Sequence, residues 1–258
     1  TAEKDGTVMG VLVRGQPAEE LIGGEGVRYK SREFQWLGSM NAEVSVCAAR
    51  GNSPVQKFGD LLTTPLKIGG TGPGADTDFF PQFLNSLYGT KFDLATGYPG
   101  GNDIVLALER GEIQGRCGWS WSSIKSQRPQ WVEGEPPYVR ILVQLSLNKH
   151  PDLPNVPLIV DLATTDEQRQ VSRVVFSRQT MGRPFAAPPG VPPERIAALR
   201  EAFDKAIQDP DLLAEADKSK SEVDLVRGEE VQALVDEVMN TPAPLVDRMK
   251  KIIDDASR

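Results

Sequence analysis

Lys67-Ile68-Gly69-Gly70-Thr71-Gly72-Pro73-Gly74-Ala75-Asp76-Thr77-Asp78 is the stretch around which the chain is organised. A short apolar strand, Leu66 and Ile68, runs into glycines at 69, 70, 72 and 74, and a helix-like run, Phe79-Phe80-Pro81-Gln82-Phe83-Leu84, follows. Glycine lets backbone N–H groups turn inward and lets a ligand approach without a Cβ in the way. Asp76 and Thr77 are residue types that cap helices, and a helix start adds unpaired N–H donors and partial positive charge. Strand, glycine turn and helix start together make either an ordinary βα turn or a small anion cradle at the carboxyl end of a sheet. No Gly-Lys-Ser/Thr closes the stretch, so it is not a Walker loop. Gly72-x-Gly74 continues to Asp76 and Thr77, where a dinucleotide fingerprint needs a third glycine. Nucleotides are thereby disfavoured, and a smaller ligand is expected.

Outward from that stretch the same alternation repeats. Phe92–Tyr98 reads as a strand closing on Pro99-Gly100-Gly101-Asn102, and helical periodicity returns over Asp103–Arg110 until Gly111. Glu112–Cys117 is the next strand. Strand, helix, strand, helix, strand at this spacing predicts a parallel sheet wrapped by helices, with both glycine turns at one end. Gly118-Trp119-Ser120-Trp121-Ser122-Ser123 follows directly. Its tryptophans are read either as core or as a pocket wall that packs on a ligand's carbon frame while Ser120 binds a polar end. Val139–Leu145 is a further strand, Thr165 to Gln168 has the form of a capping box, and Pro192-Pro193-Glu194 opens an amphipathic helix to Ile207. Near the start, Asp5-Gly6 is a turn before a buried strand over Val8–Val13, and Phe34–Ala49 is largely extended.

Composition narrows the classes. In 258 residues, 39% hydrophobic and 25% charged residues describe a globular chain with ample core for one large or two modest domains. Net charge is −7 and no basic block stands out, which disfavours nucleic acid. No apolar run approaches the ~20 residues of a membrane span. The chain has no starting Met and no signal peptide, so processing or trimming ahead of Thr1 is expected. Cys47 and Cys117 with the single His150 cannot complete the familiar four-ligand zinc site, and no metal or other cofactor is expected. Read from spacing alone, the cysteines are a disulfide or two buried thiols.

Asp5-Gly6-Thr7, Gly69–Gly74, Gly97-Tyr98-Pro99-Gly100-Gly101, Arg110-Gly111-Glu112, Leu153-Pro154-Asn155-Val156-Pro157 and Ala187-Pro188-Pro189-Gly190-Val191-Pro192 occur in an order and spacing that cover nearly the whole chain. In these pieces it resembles the substrate-binding receptors of tripartite tricarboxylate transporters, the Bug family of periplasmic solute-binding proteins. The resemblance implies a two-lobed α/β fold of the periplasmic-binding-protein type II-like kind, each lobe a mostly parallel sheet flanked by helices. It implies a first lobe of residues 1–47 and 184–258, lacking its N-terminal βαβ portion, and a second lobe of residues 48–183. Crossovers are expected near Val44–Ala49 and Pro184–Ala187. An oxidising compartment and adjacent cysteine strands, both implied by the family, favour a Cys47–Cys117 disulfide.

The family further implies a periplasmic, non-catalytic receptor that holds a small carboxylate in an interlobe cleft and delivers it to membrane permease subunits. A sensory module for a membrane signalling partner is the alternative. Carried over by position, the ligand contacts are Thr71, Gly72, Gly74, Ala75, Asp76, Thr77, Tyr98, Gly100 and Gly101, to which the residue reading adds Trp119 and Ser120. Asp76 departs from the hydroxyl side chain usual at its position; it either caps the helix or steers the site toward an amine-bearing, amino-acid-like or neutral ligand. A remote enzymatic reading makes Gly118-Trp119-Ser120-Trp121-Ser122 a nucleophile elbow with His150 as base, although serine stands where its last glycine belongs.

Overall fold

The computed structural model describes residues 2–23, 26–72 and 74–256, with side chains to Ile252; Pro73 of the glycine loop lies outside the described residues. The chain divides into two units, Thr1–Glu43 with Arg173–Asp247 and Val44–Ser172 with Arg248–Arg258.

Unit 2 carries the glycine stretch. Its strands are β3 (Ser45–Arg50), β4 (Leu66–Gly69), β5 (Phe92–Ala95), β6 (Gly115–Ser120) and β7 (Val139–Leu145), in the order β5-β4-β6-β3-β7. β4 pairs parallel with β5, Gly69 opposite Ala95, and parallel with β6 through Ile68 and Gly115. The parallel run expected from the alternation is therefore present. On its other side β3 pairs antiparallel with β6, and β7 pairs antiparallel with β3, which returns it to the direction of the parallel run. Helices follow each parallel strand: α2 (Asp76–Tyr88), α3 (Gly101–Arg110) and α4 (Trp121–Gln127), the last leading to a short α5 (Gln130–Glu133). α3 forms because Ile104, Val105, Ala107 and Leu108 fall on one buried face, and it stops at left-handed Gly111. Those side chains join Val46, Trp119, Trp121, Ile124 and Trp131 in the core.

Unit 1 contains β1 (Gly10–Val11), β2 (Gln35–Ser39), β8 (Pro184–Ala187) and β9 (Val226–Arg227), in the order β1-β8-β2-β9. Every pairing in this sheet is antiparallel, which corrects the mostly parallel expectation for the first lobe. The physical reason lies in the connections: no βαβ crossover joins these strands among the described residues, and only such a crossover gives parallel neighbours locally. Trp36 is fully buried, with its indole N–H donating to the Ser31 carbonyl at 3.0 Å. Helices α1 (Gln16–Ile22), α7 (Pro193–Ile207), α8 (Pro210–Ser219) and α9 (Gly228–Met239) belong to this unit. α6 (Asp166–Ser177) and α10 (Ala243–Ala256) each run from one unit into the other. Half of the capping box at the start of α6 is present: Gln168 N–H donates to the Thr165 hydroxyl at 3.1 Å, while the Gln168 side chain accepts from the Thr164 N–H at 2.8 Å, one residue earlier than the reciprocal bond requires.

Two local expectations change. The segment around β1, expected to be buried, is an edge strand of two residues with Val8, Met9, Val11 and Val13 exposed. Pro184–Ala187, expected to connect lobes, is a central strand of the unit 1 sheet, and the chain passes between units within α6 at Ser172.

Cys47 on β3 and Cys117 on β6 are joined by a disulfide between neighbouring strands. Alkylation of denatured, unreduced protein from an oxidising compartment should therefore leave its mass unchanged. Addition of two alkyl groups without reductant would contradict the bridge.

Candidate functional site

Because β4, β5 and β6 are parallel, the turns that leave them lie at one end of the sheet. The first two turns are stitched directly. Gly70 N–H donates to the Ala95 carbonyl at 2.9 Å, and Tyr98 N–H donates to the Gly70 carbonyl at 3.1 Å. The third is brought in by an irregularity in β6, where the register against β3 shifts between Trp119 and Arg116. Gly118 there has φ +66°, and a Cβ on it would collide with the Asp76 carbonyl. A bare backbone at this point lets β6 press against the first turn of α2.

Inside the glycine loop the hydrogen bonds close on one buried carboxylate. Asp78, only 3% exposed, accepts from the Gly72 N–H at 2.9 Å, from the Thr77 hydroxyl at 3.0 Å and from the Thr96 hydroxyl. Thr77 Oγ1 in turn accepts from the Thr71 N–H at 3.1 Å and lies 3.0 Å from Thr71 Oγ1. Gly70 has no room for a Cβ, since Asp78 fills that space. The helix begins at Asp76 with Ala75 at the cap position and no side-chain capping bond, so the expected cap by Asp76 or Thr77 is corrected. Left-handed Gly74, φ +82°, turns the chain into extended Ala75, which moves the cap one residue earlier.

The second turn leads into α3. Gly100 is the extended cap residue, and its carbonyl already accepts from the amides of Asp103 and Ile104 at 3.1 and 3.3 Å. The amides of Gly101 and Asn102 have no acceptor among the described residues. Arg116 reaches this turn from β6: its guanidinium donates to the Gly101 carbonyl at 3.0 Å and lies 4.9 Å from the Trp119 ring centre. Burial pulls its pKa down to about 10, and its Nε has no hydrogen-bond partner among the described residues. Cation and helix N-terminus thus act in the same direction on an anion.

Of the residues singled out in the sequence, Thr71, Gly72, Gly74, Ala75, Asp76 and Thr77 share one loop and helix start, with Tyr98, Gly100 and Gly101 on the adjoining turn. Tyr98 is half-buried, its ring over Gly69. Ser120 ends β6 half-buried, whereas Trp119 is 1% exposed and packs edge-on against Trp131 at 6.1 Å, as a core residue does. His150 accepts from the Asp152 N–H through Nδ1 at 3.1 Å. Asp78, Thr96 and Arg116 were missed. Asking where the Gly72 N–H finds its acceptor would have pointed to Asp78. Two concavities lie elsewhere. One of about 930 Å³ on unit 1 is lined by charges that pair with one another, Arg200 with Glu229 and Arg227 with Asp204. Another of about 500 Å³ lies beside Trp121 and Val139. Neither includes a glycine-loop residue.

No protein-family model and no curated protein matches the chain. Solved structures do. A TctC solute-binding protein from Polaromonas is 16% identical with a TM-score of 0.69, covering 98% of this chain and 80% of its own. The periplasmic binding protein BugD is 17% identical with a TM-score of 0.66, covering 97% and 80%. MatC from Rhodopseudomonas palustris, solved with bound malate, is 17% identical with a TM-score of 0.64, covering 98% and 81%. The resemblance read from the sequence is thus met by structures of TctC and Bug proteins, and the chain has their type II-like periplasmic-binding-protein fold. Among the described residues no helix is long and apolar enough to cross a membrane.

Two substitutions test the geometry. Gly118→Ala combines a collision with strained backbone and should cost about 3 kcal/mol in urea unfolding. Asp78→Ala strands the Gly72 amide and two hydroxyls, one of them exposed, and should cost about 2–3 kcal/mol. Losses under about 0.5 kcal/mol would contradict the close approach and the network respectively.

Proposed function

We propose that the chain is an extracytoplasmic solute receptor that captures a small, carboxylate-bearing metabolite at the mouths of β4, β5 and β6 and delivers it unaltered to a membrane permease. The observation that carries this reading is the convergence of the glycine loop and the Gly100–Gly101 turn, stitched by the Gly70–Ala95 and Tyr98–Gly70 bonds. A ligand carboxylate is assigned to the second turn. There the Gly101 and Asn102 amides and the α3 N-terminus supply donors, and Arg116 supplies a buried positive charge. Thr71 and Asp76 face the remaining polar end, and Tyr98 shields the carbon frame. Binding of malate by MatC, a structure of the same fold, is in keeping with a carboxylate.

A receptor of this kind performs no bond chemistry; ligand shifts it toward a delivery-competent state only by its differential affinity for that state. The fold likeness to solute-binding proteins favours this reading over the Ser120–His150 hydrolase. Delivery to a permease and signalling to a membrane kinase would use the same pocket, and the TctC and BugD likeness favours the former.

Mass spectrometry of material released on denaturing the purified protein should find one small carboxylate at near-stoichiometric amount. Titrated back, it should bind with no turnover, and Arg116→Met should weaken it at least about tenfold. Conversion of the compound, or unchanged affinity in a folded Arg116→Met, would contradict the proposal.

A further inference from the structure

The hydroxyl protons of the glycine loop can be counted. A threonine hydroxyl has one proton and two lone pairs, and an ionised carboxylate only accepts. Thr77 gives its proton to Asp78 and uses its lone pairs on the Thr71 N–H and the Thr71 hydroxyl. Thr71 must therefore be the donor in the 3.0 Å hydroxyl pair. Thr96 gives its proton to the other Asp78 oxygen, and the Gly72 N–H is spent on Asp78 as well. Each of these five donors, two amides and three hydroxyls, points inward to Asp78 or toward it through Thr77. What half-buried Thr71 has left is lone pairs, with a buried negative charge two bonds behind them.

We propose that Asp78 sets the specificity of this site. Its carboxylate is an internal anion seated on the donors a ligand carboxylate would need, so the glycine loop takes the hydrogen-bond-donating end of a ligand, an ammonium or amide, and rejects a second carboxylate. The substrate class is then an amino-acid-like metabolite whose carboxylate lies at the Gly100–Gly101 turn and whose amino end lies at Thr71. This inference rests on the receptor reading and narrows it. Like-charge juxtaposition at a desolvated site costs enough to decide between two ligands of one shape.

The test uses pairs that differ only at one end: γ-aminobutyrate against succinate, and ε-aminocaproate against adipate, titrated calorimetrically into the whole chain. The wild-type protein should bind the amino member of at least one pair about tenfold or more tighter than its dicarboxylate. Asp78→Asn keeps the shape, removes the charge and lets Thr96 accept, so the preference should shrink severalfold toward parity. Thr71→Val, which leaves Asp78 in place, should weaken the amino ligand at least about fivefold while leaving the dicarboxylate unchanged, and it carries the test if Asp78→Asn does not fold. A wild-type preference for the dicarboxylate, or a preference untouched in both folded variants, overturns the inference and leaves the receptor reading standing. Failure of all four compounds to bind folded protein overturns the inference, and the receptor reading falls with it only if the purified protein also releases no small carboxylate.

Discussion

The glycine loop holds its form through one buried carboxylate. A loop with four glycines pays a large entropic cost on ordering, since glycine has more backbone freedom to lose than any other residue. Asp78 offsets that cost by accepting three hydrogen bonds, one from the loop backbone, one from its own helix and one from the end of the neighbouring strand. The bonds therefore couple α2 to β5 as well as to the loop. A carboxylate beside a helix N-terminus also meets favourable partial charge, which helps a buried anion remain. Around it the close approaches follow: Gly70 bare because Asp78 occupies the space, and Gly118 bare because the Asp76 carbonyl does.

From this constraint the division of labour at the sheet's end becomes clear. At the β4–α2 turn the Thr71 and Gly72 amides and the Thr71, Thr77 and Thr96 hydroxyls are directed inward to Asp78 or toward it through Thr77. At the β5–α3 turn the Gly101 and Asn102 amides have no acceptor among the described residues, and the Arg116 guanidinium lies against the Gly101 carbonyl. On the proposed reading one mouth accepts and the other donates. A ligand with a donor at one end and a carboxylate at the other fits both, which a uniformly donating cradle would not favour. The fold supplies the platform that many unrelated functions share, and the chemistry comes from these few side chains.

Much of this was legible in the residues. The 3.6-residue periodicity of Ile104, Val105 and Leu108 and the stop at Gly111 placed α3 within two residues of its start. The glycine runs marked both turns, and the alternation of elements predicted that they would lie together. What failed to read out was what depends on contacts distant in sequence. β2, β8 and β9 pair antiparallel across long separations, and no local pattern states strand direction. β1 carries strand-like valines yet lies exposed at an edge, where periodicity cannot report burial. Trp119 admitted two readings, and only the packing against Trp131 and Arg116 places it in the core. Asp78 was in plain view, but helix-capping chemistry drew attention to Asp76 and Thr77 because the residue type is the same and the difference is three-dimensional.

Where a solute touches the molecule decides between this site and any other. Amide chemical-shift mapping, with the small molecule released from the purified protein titrated back into isotope-labelled chain, reads that contact residue by residue. Shifts concentrated at Thr71, Gly72, Tyr98, Gly101 and Asn102 are the predicted result. Shifts that leave these amides unmoved and gather around Arg200 and Arg227 on unit 1, or beside Trp121 and Val139, would contradict it.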